Sequence, residues 1–261
     1  MNIEKNLEIL EKLRRNDLQY IASWALYDVD ESTVKSYVDA NPKDRSEIIP
    51  LQDIAFPARY QNDNKLAEAI NPKVMFVALN ADDRDVLKDS WANFHDTRAK
   101  DPNAKGRGNT ASRDRNILMD LYHTKFYGGY MTDLYKDFPE TNSGEIDTIR
   151  LANCLDYTSD ELHDIAVQAT GNKTMAKLYH DIVSAKTSLK MLQYELDTLQ
   201  PKVIVCYHSK VKPAIVRLVR RGWLKLPENC ALITQTHYAQ SYPLDKRLTD
   251  LVTESDHIME D

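Results

Sequence analysis

The stretch Val74-Met-Phe-Val-Ala-Leu-Asn80 sets the architecture. It is an unbroken apolar run that stops on an Asn. Such a run, without polar alternation, predicts a strand buried on both faces, as in a parallel sheet. Three further stretches end in a similar way. Gly129-Tyr-Met-Thr-Asp133 stops on an Asp, while Lys202-Val-Ile-Val-Cys-Tyr-His208 and Leu232-Ile-Thr-Gln-Thr-His237 each stop on a His. Open α/β sheets bind ligands outside the carboxyl ends of their strands. The polar residues that end these runs are therefore the first candidates for a site.

Helical signals lie between the strands. Ile3, Leu7, Leu10 and Leu13 recur at helical spacing, and the apolar face continues from Tyr20 to Leu26, so helix is expected over 3–27. A second helix is expected over 31–40, capped by Asp30 or Ser32, and a short one over 66–70. The segment 83–112 is polar, is broken by Pro102, Gly106 and Gly108, and reads as a long loop with a short helix near 85–92. Loops of that length in a compact domain are often functional. Further helices are expected over 113–122, 159–168, 174–199, 210–221 and 245–253, with Asn172 capping the fourth strand-linking helix and Gly222 closing the helix at 210–221. Strands are expected at 73–79, 129–135, 202–207 and 230–236, and crossovers of this length make them parallel. The expected fold is thus three-layered α/β. A central four-stranded parallel sheet is flanked by helices in a domain at 66–261, and a helical extension at 1–65 packs on it.

Composition narrows the class. The chain has 261 residues, 42 % of them hydrophobic and 28 % charged, which suits one large soluble α/β domain or one domain with an added subdomain. No apolar run approaches the roughly 20 residues of a membrane span, and the charged N-terminus has no apolar core of a signal peptide. Cys154, Cys206 and Cys230 are far apart and odd in number, which fits reduced cytoplasmic thiols. His95, His123, His163, His180 and His257 show no metal-ligand spacing, and no cofactor is expected. The net charge of −6 argues against strong overall affinity for nucleic acid. Its distribution is uneven, however. Lys202 to Lys225 carries seven Lys/Arg and no acid, and Arg98 to Lys125 carries seven against three Asp. Either run can be a solvated face. Two of them near strand ends also suit a phosphate path.

The ordered motifs resemble the uracil-DNA glycosylase superfamily, especially its mismatch-specific and related bacterial branches. The resemblance spans about 70–245. Ala78-Leu79-Asn80-Ala81-Asp82 stands where that superfamily has G-x-N-P-G or G-Q-D-P-Y, whose Asn or Asp positions the hydrolytic water. Phe94 sits where an aromatic residue floors the flipped base. Arg113-Asp114-Arg115-Asn116 resembles the start of the following helix. Tyr130-Met-Thr-Asp133-Leu-Tyr-Lys136 resembles the strand whose Asn reads the base, and Pro201 to Val205 resembles the third strand. His237-Tyr238-Ala239-Gln240-Ser241 stands at the H-P-S-like motif. The chain departs from the pattern where Ala81-Asp82 replaces Pro-Gly, where Asp133 replaces Asn, and where no Pro follows His237.

The resemblance implies hydrolysis of an N-glycosidic bond in DNA with a damaged or deaminated base. Asn80 and His237 are then the catalytic candidates, for orienting water and for donating to the leaving base. Phe94, Asp133 and Tyr238 are base-binding candidates, while Arg113, Arg115, Lys210 and Ser241 are DNA-binding ones. A carboxylate at 133 accepts hydrogen bonds only, so it cannot reproduce the paired pattern of an Asn unless protonated. The bland readings remain open beside these: Asn80 as a turn residue, His237 and His208 as structural strand-end residues, Asp133 as a cap, and Phe94 as core. A non-catalytic nucleic-acid or nucleobase-binding module on the same fold is the alternative function. A small-molecule hydrolase or nucleotide-binding domain lacks its motifs, since G-x-S-x-G, G-x-x-x-x-G-K-[ST] and G-x-G-x-x-G are all missing.

Overall fold

The computed structural model describes residues 2–41, 43–80, 90–95, 110–136, 138, 146–237 and 242–259, with the side chains of 46, 51, 52, 80 and 110–114 excepted. The N-terminal helix α1 (Ile3–Arg14) is shorter than expected. The chain turns at Asp17, whose φ of 56° is left-handed and ends any continuing helix. The apolar residues that follow form a strand, β1 (Ser23–Trp24), with Trp24 packed edge-on against Tyr130 at 5.0 Å between ring centroids. Next come α2 (Glu31–Asp39), capped by Asp30 as expected, and two short helices, α3 (Arg45–Ile48) and α4 (Asp63–Ala69).

The expected strands are β2 (Asn71–Asn80), β3 (Gly129–Tyr135), β4 (Val203–Tyr207) and β5 (Ala231–Gln235). Between β2 and β3 lies α5 (Thr110–Leu121). Between β3 and β4 lie α6 (Thr148–Asn153), which is not foreseen from sequence, α7 (Ser159–Ala169) and α8 (Lys173–Leu199). Asn172 caps α8 through Thr174 and Met175, as its position predicts. The helix α9 (Val211–Arg220) joins β4 to β5 and closes at Gly222, whose φ is 74°. The last helix, α10 (Leu244–Met259), runs longer than its expected span.

The sheet order is β1-β3-β2-β4-β5. The four long strands are mutually parallel and β1 is antiparallel to β3. The expectation of a four-stranded parallel sheet is therefore corrected to a five-stranded mixed sheet. The fifth strand comes from the N-terminal segment, where the apolar spacing predicts helix. Ser23 and Trp24 gain ladder bonds to β3 and aromatic packing there, which outweighs local helix propensity.

Along β2 the side chains alternate between two apolar clusters. Met75, Val77 and Leu79 join the layer that contains residues of α1, α4, α8 and α9. Val74, Phe76 and Ala78 join the layer that contains residues of α2, α5 and α10. Burial on both faces explains why the run lacks polar alternation. The turn into β3 is tight. A Cβ on Gly128, where φ is 78°, would lie 2.4 Å from the Ala69 carbonyl oxygen, so a side chain is excluded there. Leu10, Leu13 and Trp24 of the N-terminal 65 residues share one cluster with Tyr130 and Ile204, so this segment is built into the sheet's own core. No helix among the described residues is long and apolar enough to cross a membrane.

Candidate functional site

Parallel strands gather their carboxyl ends at one edge of the sheet, and four polar positions meet there. β2 ends on Asn80, whose backbone pairs with Tyr135 at the end of β3. β4 passes directly into His208, and β5 is followed by Thr236 and His237. The His208 amide bonds to the Gln235 carbonyl at 3.3 Å, so the two histidine segments leave the sheet together. Their rings meet edge to face with centroids 5.9 Å apart.

His208 is conformationally costly. Its φ is 107°, well outside the region that residues with a Cβ prefer. Its Nδ1 accepts the backbone N–H of Lys210 at 3.0 Å. In the neutral ring the proton therefore sits on Nε2. Burial, followed by the charge of Lys210, pushes the His208 imidazole below its ordinary value, which favours the neutral form. Lys210 itself precedes α9, and its Nζ donates to the Ile146 carbonyl at 3.0 Å.

The segment carrying His237 is held from behind. Arg247 of α10 donates from Nη2 to the His237 carbonyl and from Nη1 to both oxygens of Asp120, each at 3.2 Å. Gln235 adds a bond from Nε2 to Asp120 at 3.0 Å and receives the Thr236 N–H on Oε1 at 2.9 Å. Asp120, Arg247 and Gln235 are all buried. Burial pushes the Asp120 carboxyl up to about 7, against the pull of Arg247. Sequence periodicity misses this network, because its members lie on α5, β5 and α10. The one local signal is an Asp, a Gln and an Arg at positions that otherwise read as core faces.

The other sequence candidates are placed as follows. Phe94 is buried, has a φ of 65°, and belongs to the apolar cluster that includes Ala78 and Met131 near the same sheet edge. Asp133 is buried, at 3 % exposure, and lies inside β3 opposite Ala78, two residues before that strand ends. Its backbone carbonyl accepts from Lys136 Nζ. Arg115 is also internal, at 5 % exposure, and its Nε donates to the Ile49 carbonyl at 2.8 Å. Burial lowers its pKa, and the bond to Ile49 braces α5 to the N-terminal segment. Arg113 lies in the first turns of α5, and Asn80 is placed by its backbone, with both side chains outside the described set. Tyr238 and Ser241 lie outside the described residues.

No set of three His, Cys, Asp or Glu side chains among the described residues is arranged to hold a metal ion. A surface groove of about 220 Å³, lined by Val34, Leu118, Tyr122 and Tyr127 among others, lies at the C-terminal end of α5. That is the amino edge of the sheet, away from the histidine pair.

No family model, no curated protein and no solved structure matches this chain.

Proposed function

We propose that the chain is a uracil-DNA-glycosylase-like hydrolase that cleaves the N-glycosidic bond of a damaged or deaminated base in DNA. The observation that carries this reading is the convergence of Asn80, His208 and His237 at adjacent carboxyl ends of a parallel sheet. Cleavage requires a base swung out of its stack into a pocket. The C1′–N bond then breaks, with its electron pair leaving on the base, while water adds to C1′ and loses a proton to solvent, from which the departing base anion is reprotonated. In the proposed arrangement Asn80 orients the water, and His237 donates a hydrogen bond to the base oxygen on which negative charge builds. An Asn is too weak a base to drive the step by proton abstraction. The rate enhancement therefore rests on positioning and electrostatic stabilisation. Phe94 supplies a stacking surface, and Tyr238 and Ser241 belong to the segment that follows His237.

The test is release of base from oligonucleotides carrying uracil, hypoxanthine or a mismatch, read as abasic sites. Wild type is run beside Asn80→Ala and His237→Ala. Base release that falls at least tenfold in both variants supports the reading. If wild-type protein yields no abasic site on any substrate, the hydrolase reading is lost.

The second reading is a non-catalytic nucleobase or nucleic-acid binding module. It is favoured by one specific observation: Asp133, at the position of the base-reading Asn, is a buried strand residue. Salt-sensitive DNA binding without product marks this outcome.

A further inference from the structure

The two histidines differ in what their backbone demands. His237 follows β5 in a segment secured through its carbonyl by Arg247. His208 follows β4 at a φ of 107°, a conformation that glycine adopts with far less cost. A strained residue persists when its surroundings hold it, and strain of this kind clusters at ligand-contacting sites. The core does not need this ring. Val205 and Tyr207 fill one face of β4, Ile204 and Cys206 the other, and all four are fully buried before the chain reaches His208.

The ring is also fixed in a particular chemical state. The Lys210 N–H occupies Nδ1, so Nε2 carries the proton and presents a donor. The ring is half-buried, and it sits edge to face with His237. Burial and Lys210 both disfavour a second proton, so the donor is neutral near pH 7. A neutral Nε2–H donor is satisfied by an oxygen acceptor. It has nothing to offer an exocyclic amino group except donor against donor, and a site built to pair one group rejects an analogue that leaves it unpaired.

We infer that His208 is a specificity-determining residue, whose Nε2–H donates to the oxygen at the deaminated carbon of a bound oxo base and selects it over the parent amino base. This inference rests on the base pocket of the proposed function and goes beyond it by assigning His208.

The experiment uses the full chain with ¹⁵N-labelled histidine. Long-range ¹H–¹⁵N correlation identifies the protonated nitrogen of His208, whose signals are assigned by their loss in His208→Gly. Free hypoxanthine is then titrated beside adenine, and uracil beside cytosine. The expected result is a proton on Nε2, with a resonance that shifts on adding at least one oxo base and stays in place with its amino partner. A proton on Nδ1 overturns the inference, as does a shift that is absent with both oxo bases or equal for the amino partners. A urea titration of His208→Gly accompanies it. A raised midpoint is expected as strain is relieved, and a lowered midpoint would mark His208 as a structural residue and overturn its assignment.

Failure of this inference and of the hydrolase reading are separable. If wild type and His208→Gly release oxo bases from DNA with the same rate and selectivity, the hydrolase stands and the role of His208 falls. If wild type releases none while the NMR discrimination is present, the hydrolase falls and the selective base contact stands.

Discussion

Each face of the sheet buries an ion pair, and the two pairs are built for different ends. On the α8 face, Lys136 Nζ lies 2.9 Å from Glu195 Oε2, while Tyr130 and Thr132 donate to Oε1 at 2.8 and 2.9 Å. Tyr130, Thr132 and Lys136 all tie the β3 segment to α8, and Lys136 Nζ also donates to the Asp133 carbonyl. On the α5/α10 face, Asp120 and Arg247 pair at 3.2 Å, but Arg247 also reaches out to the His237 carbonyl. The first group joins the β3 segment to α8 and holds the layers together. The second passes its rigidity on to the edge where the histidines meet. A buried pair is thus better understood from what its remaining hydrogen bonds touch than from its burial, which is near total in both.

The largest expected effect breaks the pair on the α8 face. Lys136→Met leaves the Glu195 carboxylate without its counter-charge and should cost about 3–5 kcal/mol in urea unfolding. Adding Glu195→Leu should recover part of this, leaving about 1–3 kcal/mol for the hydroxyls of Tyr130 and Thr132 that lose an acceptor. The His237 ring resonances should not move in either variant. A shift there would show that the two faces are coupled and would end the contrast.

The next effect concerns pH and belongs to the α5/α10 face. His95 is fully enclosed, with Nδ1 2.9 Å from the Ile54 carbonyl and Nε2 3.0 Å from that of Trp24. Burial pushes its pKa down to about 4, against the two carbonyls. The unfolded chain takes up this proton near 6.5, so folded stability should fall as pH drops from about 6.5 towards 4, by up to about 3 kcal/mol. Asp120 has the opposite sign. Its folded pKa is raised to about 7 from 3.8, so its contribution is full below about 4 and is lost as pH rises through 7. From about pH 4 to 6.5 the two slopes oppose, so the wild-type urea midpoint should change little there, while His95→Gln should uncover a decline as pH rises from 4 to 7 and Asp120→Asn a decline as pH falls from 6.5 to 4. Unchanged profiles would remove the pH argument for this face.

A smaller loss is expected from Arg247→Met, about 2 kcal/mol, because Asp120 can accept a proton once its partner is gone. Unlike Lys136→Met, this variant should move the His237 ring resonances and lower any base release. If stability falls and His237 stays in place, the second pair only holds layers together, as the first does. The smallest effect is a gain. His208→Gly should stabilise the fold by about 1 kcal/mol, the relieved strain exceeding the entropy of the added glycine.

The fold was more legible than the site. β2 and β4 are legible in the sequence because burial on both faces leaves unbroken apolar runs, as in Val74 to Leu79. Asn172, Asp30 and Gly222 were found because caps and helix stops act through the backbone within a few residues. The strand at Ser23–Trp24 was missed because its two residues gain everything from Tyr130 and Met131, far along the chain. Arg115 and Asp133 show the same limit at the site. The sequence marks Arg115 as a polar residue at a helix start and Asp133 as one at a strand end, while the distant Ile49 carbonyl and the buried register opposite Ala78 set where they sit.

Apolar runs, helix caps and the order of strands and crossovers were enough to specify an α/β sheet with parallel strands and polar residues at their ends, since these follow from local backbone preferences and solvent exclusion. The position of β1, the burial of Arg115, the strained donor geometry of His208 and the Asp120–Arg247 support behind His237 were set by packing alone. Each depends on groups tens to more than a hundred residues apart, or on a backbone angle that only the assembled sheet imposes, and no local pattern encodes such contacts.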